Sequence, residues 1–183
     1  AVKKVREEMG LTNVKIMIPF CRTLEEAKRV IEELASNGLV QKQNDLEVLM
    51  MVEIPSNVIL IEQFAEIFDG FSIGSNDLTQ LVLGIDRDSQ LLASHFNEND
   101  PSAKYMIEKA IEGAGKSGRR IGLCGQAPSD FPDFAAFLIH AGISSISFTP
   151  DAVIRGIENM VEAEVHSNGQ PDISVISGGL ILE

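Results

Sequence analysis

The sequence predicts an α/β protein with a parallel sheet, read as the last five β/α units of an eight-unit (β/α) barrel. Three observations carry this expectation. Five short apolar runs recur along the chain, and amphipathic helical stretches separate them. The runs are almost continuously hydrophobic, as strands covered on both faces are. The residues best suited to chemistry stand at the C-terminal ends of the runs, where barrel active sites lie. Five units could instead form an open doubly wound sheet, but no glycine-rich phosphate fingerprint follows the first run. A complete eight-unit barrel takes about 250 residues, and the sequence has 183.

In order along the chain, the opening VKKVREEMG is charged and helix-like. The first strand is Val14 to Pro19 (VKIMIP). Thr23 and Glu26 then form a capping box for a helix that stops near Gly38. The second run is Leu46 to Pro55 (LEVLMMVEIP), after which Ser56 is placed to cap a helix carrying Val58, Ile61, Phe64, Ala65 and Phe68 on one face. Gly70 to Ser75 (GFSIGS) is the third strand, and a short helix follows it. Asp100-Pro101 opens a long helix toward Gly118, with proline at its first position. Arg120 to Gly125 (RIGLCG) is the fourth strand, and the helix begun by Pro132 carries Phe134, Phe137 and Leu138 to a stop near Gly142. Ser144 to Thr149 (SSISFT) is the fifth strand, with Thr149-Pro150 opening a last helix through Met160. Long strand–helix–strand crossovers require parallel pairing. The stretch from Val165 to Glu183 departs from the pattern and is set apart as a tail, leaving 1–164 as the barrel portion.

Composition narrows the function. The chain is 44% hydrophobic and 23% charged, an ordinary globular balance. A net charge of −12 argues against a nucleic-acid surface, which needs lysine- and arginine-rich faces. Cys21 and Cys124 are too few for a disulfide framework or a zinc site, and they suit a reduced, cytoplasmic setting. No apolar run approaches the ~20 residues of a membrane span. The absence of an initial methionine and the abrupt helical start are read as signs of a piece of something larger.

Glu53 ends the second run and Asp77 follows the third, one β/α unit later. Neighbouring strand ends would point both carboxylates into one mouth, where they repel unless a cation lies between them. A hard cation with few protein ligands suits Mg²⁺ or Mn²⁺. Either acid taken alone reads as readily as a helix N-terminal carboxylate held by the dipole. Gly74-Ser75-Asn76-Asp77 puts small residues at a strand-to-helix turn, whose backbone N–H groups can meet a carboxylate or phosphate. Capping by Asn76 or Asp77 is the plainer alternative. Arg87 offers a guanidinium fork for phosphate, or a surface pair with Asp86 or Asp88. Cys124 lies among glycines at a strand end, where a thiol could exchange a proton with carbon or serve as a small hydrophobe. Cys21 reads as structural, and His95, His140 and His166 show no metal spacing.

Together, the segments GLTNVKIMIPFCRT, MMVEIPSNV, FDGFSIGSNDLTQLVLGIDRD, GLCGQAPSDFPDFAAFLI and GISSISFTPDAV resemble the phosphoenolpyruvate-utilising enzymes. The resemblance runs from Ala1 to about Glu164 and is nearest to the phosphoenolpyruvate synthase (pyruvate, water dikinase) branch. It implies a TIM barrel of the phosphoenolpyruvate/pyruvate type. Glu53 and Asp77 are then Mg²⁺ ligands, with Mn²⁺ as a possible substitute. Gly74, Ser75 and Asn76 hold the carboxylate or enolate end of the substrate, and Arg87 matches an arginine for phosphate. Cys124 matches the cysteine that moves a proton at the methyl carbon. The partners it implies are pyruvate or phosphoenolpyruvate, a phosphohistidine domain, an ATP-binding domain and a second barrel in a homodimer.

The phosphohistidine motif, the nucleotide domain and the early barrel strands are not among these 183 residues. The expectation for this chain alone is weak Mg²⁺ binding and no ATP-dependent synthesis. Pyruvate, phosphate dikinase and phosphoenolpyruvate-protein phosphotransferase share the metal pair, the turn and the cysteine, whereas MVEIPSN and CGQAPSDFPDF favour the synthase. A metal-dependent pyruvate lyase or aldolase and a non-catalytic dimerisation module are the alternatives of other kinds. The first strand is expected to leave an unpaired edge that invites chain–chain association.

Overall fold

A computed structural model of the chain describes residues 1–168. Five strands, β1 (Ile16–Ile18), β2 (Val48–Val52), β3 (Gly70–Gly74), β4 (Arg120–Cys124) and β5 (Ser145–Ile146), pair in parallel in sequence order. Each strand joins the next, which is barrel order. A doubly wound sheet reverses its order at a switch point. β1 and β5 are the two edges among the described residues, so β1 has β2 as its one partner there.

The strands are short because their apolar runs are short, and the pleat sorts their residues. On β2, Val48, Met50 and Val52 are fully buried, while Leu49 and Met51 point to the other side and stay half-buried. The buried side meets Phe71, Ile73, Ile121 and Leu123 of β3 and β4 and the helices beyond. Those helices supply Phe64, Phe68, Leu78, Ile107, Phe134 and Leu138, all packed into one core. Truncating one of the phenylalanines to alanine would cost about 3–5 kcal/mol.

Of the helices, α1 (Val2–Glu7) lies at the start of the chain. Its buried Arg6 donates to the carbonyls of Thr12, Val14 and Asn44, which ties it beneath the sheet. The expected cap of α2 (Leu24–Ser36) is present: Thr23 Oγ1 accepts from the Glu26 amide at 3.1 Å, and the Glu26 carboxylate accepts from the Arg22 amide at 2.7 Å.

The helix expected after β2 is different from the sequence reading. It is split at Leu60 (φ −110°, ψ 23°) into α3 (Pro55–Ile59) and α4 (Ile61–Ala65). Ser56 does not cap it; its hydroxyl donates instead to the Arg22 carbonyl at 3.1 Å. Asn57 Oδ1 takes the capping role, accepting from the Glu53 and Ile54 amides, both at 3.2 Å.

Next come α5 (Ser75–Leu83), α6 (Pro101–Lys116), the single turn α7 (Ala127–Asp130), α8 (Pro132–Ala141) and α9 (Val153–Asn168). The last helix starts later than Thr149-Pro150, because that pair forms a turn in which Ala152 N–H donates to the Thr149 carbonyl at 2.9 Å. It also runs past Met160 to Asn168, and the remainder of the expected tail, 169–183, lies outside the described residues. No helix among the described residues is long and apolar enough to cross a membrane.

Candidate metal and anion site

Strand register assembles the site. Val52 pairs with Ile73, so Glu53, one residue on, comes level with Gly74; Gly74 in turn pairs with Cys124. Glu53, Gly74 and Cys124 thus form a row across the C-terminal ends of three neighbouring strands. The row behind it is Met51, Ser72 and Gly122.

Glu53 is 6% exposed, and its Oε1 accepts from the Phe20 amide at 2.5 Å. Asn57 holds the backbone at Glu53 and also donates to the Cys21 carbonyl at 2.6 Å, so it fastens the β1 and β2 ends together. Burial raises the Glu53 carboxyl above the ordinary carboxylate range; the Phe20 amide pulls it back, and the charge of Asp77 pushes it up again. Asp77 is thus near enough for its charge to be felt at Glu53.

Among the described residues neither acid forms an ion pair with a lysine or arginine. No group of three or more His, Cys, Asp or Glu that could hold a metal gathers among the described residues, which leaves this pair of carboxylates as the candidate donors. Two hard oxygen donors whose negative charge no lysine or arginine offsets fit a Mg²⁺ ion that keeps several waters or substrate oxygens.

Gly74 is the N-cap of α5 and offers no side-chain cap. Asn76 and Asp77 therefore sit within the first turn rather than capping it. The first-turn amides of α5 have no intrahelical carbonyl to meet. Ser75 is fully buried, and its Oγ faces the Glu98 carboxylate without reaching a full hydrogen-bond geometry. Past the left-handed Gly84 (φ 64°) the chain folds back along α5, and the Arg87 amide donates to Gln80 Oε1 at 3.3 Å. Hydrogen bonding assigns the Asn76 amide with its nitrogen toward Glu98 Oε1 and Oε2, at 2.9 and 3.1 Å, and its oxygen accepting from Arg87 Nη1 at 3.3 Å. Arg87 thus reaches the site residue Asn76, and no salt bridge to Asp86 or Asp88 forms among the described residues.

Cys124 is half-buried. The Ser72 hydroxyl donates to its Sγ at 3.5 Å, and Met51 Sδ and the Ile73 carbonyl lie 3.5 and 3.6 Å from it. Cys21 is buried on the other side of Asn57, and burial raises its thiol, which suits a structural role.

Three contributors escaped the sequence reading. Asn57 sits in a helix start like any other. The Phe20 contribution is a backbone amide, invisible in a side-chain pattern. Glu98 lies in the polar stretch Asp88 to Asp100, one acid among several, yet it is only 6% exposed.

Fold and site together define a parallel α/β barrel protein whose strand ends carry the buried Glu53 beside an uncapped helix N-terminus. Residues 1–165 match the family described as PEP-utilising enzyme, PEP-binding domain, and the chain belongs to that family. It is 58% identical over 164 residues to a phosphoenolpyruvate synthase of Synechocystis sp., covering 90% of this chain and 20% of the relative. A phosphoenolpyruvate synthase of Aquifex aeolicus is 53% identical (90% and 19% covered), and that of Escherichia coli 56% identical (85% and 20% covered). The chain therefore spans about a fifth of the length of these relatives. Among solved structures, RipC from Yersinia pestis aligns with a TM-score of 0.53 at 13% identity, covering 80% of this chain and 62% of that one. A variant of the citrate synthase SbnG aligns with a TM-score of 0.52 at 18% identity, covering 89% and 67%. At such identities these two support the fold alone.

Proposed function

We propose that this chain carries the Mg²⁺- and pyruvate/phosphoenolpyruvate-binding site of a phosphoenolpyruvate synthase. The whole reaction would convert pyruvate, ATP and water to phosphoenolpyruvate, AMP and phosphate through a phosphohistidine on another domain. The observation that carries this reading is the strand-end row of Glu53, Gly74 and Cys124, with Asp77 beside it, in a chain 58% identical to a phosphoenolpyruvate synthase over that region.

Glu53 and Asp77 hold the Mg²⁺, whose charge, when bound, stabilises the negative charge that develops on the pyruvate oxygens. The first-turn amides of α5 receive the substrate carboxylate, and Asn76 holds Arg87 beside them. Arg87 supplies the cationic donor that a transferred phosphoryl group needs. Cys124, as thiolate, takes a proton from the methyl carbon, and the C–H electron pair becomes the C=C bond of the enolate. The Ser72 hydroxyl donates to the Cys124 sulfur and orients it. The enolate oxygen then attacks the phosphorus of the phosphohistidine, and the N–P bond breaks. In the reverse direction the Cys124 thiol returns the proton.

The proton-transfer half needs no phosphoryl donor, so it can be tested on this chain. Methyl-proton exchange of pyruvate in D₂O with Mg²⁺, followed by NMR, is expected to exceed the rate with Mg²⁺ alone. Cys124→Ala is expected to abolish the excess. Exchange in that variant equal to the unaltered chain's, or no excess in either, overturns the reading.

A further inference from the structure

Building on the site reading just given, we propose that Glu98 is a positioning residue, whose carboxylate fixes the Asn76 amide with its nitrogen turned inward and its oxygen toward Arg87. Glu98 stands apart from the other acids of its loop by its burial. An ionised carboxylate taken out of water is costly unless its oxygens are paired. Its oxygens accept from Asn76 at 2.9 and 3.1 Å, and the Ser75 hydroxyl, the Ala127 amide and the Arg87 guanidinium lie around it.

Two further features connect it to the site rather than to the loop. Gly125, the residue after Cys124, packs against Ser75 Oγ and Glu98 Oε1 so closely that a β-carbon there would run into the serine. Asn76, by contrast, is only half-buried, and Arg87 is exposed. One 3.3 Å contact from an exposed arginine is a weak hold on an amide that can turn over. The buried carboxylate supplies the firm one, since it accepts from nitrogen and repels oxygen. Glu98 touches no reacting atom in this arrangement. It acts through Asn76, whose fixed oxygen accepts from Arg87 and so holds the guanidinium in place for an incoming anion.

The test uses the full chain. The side-chain ¹⁵N–¹H resonances of Asn76 in the unliganded protein are expected to sit away from their random-coil positions. Glu98→Ala is expected to return them there, and Glu98→Gln, whose carboxamide oxygen still accepts, to keep most of the shift. By calorimetry with Mg²⁺ present, Glu98→Ala is expected to weaken phosphoenolpyruvate binding about tenfold and Glu98→Gln less than about threefold. The Asn76→Ala/Glu98→Ala pair is expected to bind no more weakly than Asn76→Ala alone.

Unchanged Asn76 resonances in Glu98→Ala, or additive losses in the double variant, overturn the positioning role. Should the alanine variant fail to fold, Glu98→Asp keeps the charge but shortens the reach. Loss of the Asn76 shift in it supports the proposal and retention overturns it. If the unaltered chain binds no phosphoenolpyruvate with Mg²⁺, the functional reading fails, and the Asn76 resonances alone decide the positioning claim.

Discussion

Gly74 and Glu53 stand level on neighbouring strands with only a tight fit for a methyl group between them. A β-carbon on Gly74 would lie 3.1 Å from both Cβ and Oε2 of Glu53 and 3.3 Å from Cγ of Met51. The glycine is needed for the neighbour's carboxylate more than for its own backbone angles. Gly74→Ala is expected to fold, with a loss of about 1–3 kcal/mol from overpacking. Its Mg²⁺ affinity is expected to fall about tenfold as Glu53 is displaced. Calorimetric titration beside a thermal melt checks both, and unchanged affinity would contradict the placement of Glu53.

Glu53→Gln separates stability from metal binding. Burial and Asp77 both oppose the Glu53 charge, whereas a carboxamide oxygen can still accept from the Phe20 amide. The metal-free variant is expected to melt at the same temperature as the parent chain or a few degrees higher. The rise in melting temperature that Mg²⁺ gives the parent is expected to vanish. A variant that melts lower without metal yet still responds to Mg²⁺ would contradict this.

Asn57→Ala removes three hydrogen bonds made by one fully buried side chain, two from backbone amides of β2's end and one to the Cys21 carbonyl. The expected loss is about 2–3 kcal/mol in urea unfolding, since buried amides are left without acceptors. Mg²⁺ binding should weaken with it, because the Glu53 backbone loses its tether. A loss under about 1 kcal/mol would show that water replaces the side chain.

Glu98 gives a pH signature. Burial raises its carboxyl above the ordinary 4.5; Ser75, Arg87 and the Ala127 amide pull the other way, while Asp130 adds to the rise. Because the folded value is raised, its contribution to stability is fully present below about 4.5 and is lost as pH climbs through the folded value. Glu98→Gln does not titrate. Its melting temperature relative to the parent's is therefore expected to rise between about pH 4.5 and neutrality. A constant difference across that window would mean that the folded environment leaves Glu98 unshifted.

The barrel order of the strands was legible because the runs are mostly apolar and a helical stretch separates each from the next. Thr23 and Glu26 behaved as their spacing predicts, and so did Asp100-Pro101, where the Asp100 carboxylate accepts from the Ser102 amide at 2.8 Å. The break at Leu60 was not legible, since Val58, Ile61, Phe64 and Phe68 keep helical spacing across it. Ser56 misled because a cap is recognised by type, and Asn57, equally suited, sits one residue later. Within the site, Glu53 could be placed beside the turn that carries Asp77 from strand-end positions, because register is shared across a parallel sheet. Glu98 could not, because loop residues carry no period that says where they fold back. Its burial depends on Gly125 and Ser75, distant in sequence and small for the same reason.

The claim that Glu53 and Asp77 form one divalent-metal site is tested most directly by paramagnetic relaxation. Substoichiometric Mn²⁺ added to the ¹⁵N-labelled chain should first broaden the amides of Glu53, Gly74 to Leu78 and Gly125, with Mg²⁺ competing the effect away. The Glu53→Gln/Asp77→Asn variant should show no such centre. Broadening scattered over exposed acids such as Glu112 and unchanged in that variant would contradict the account.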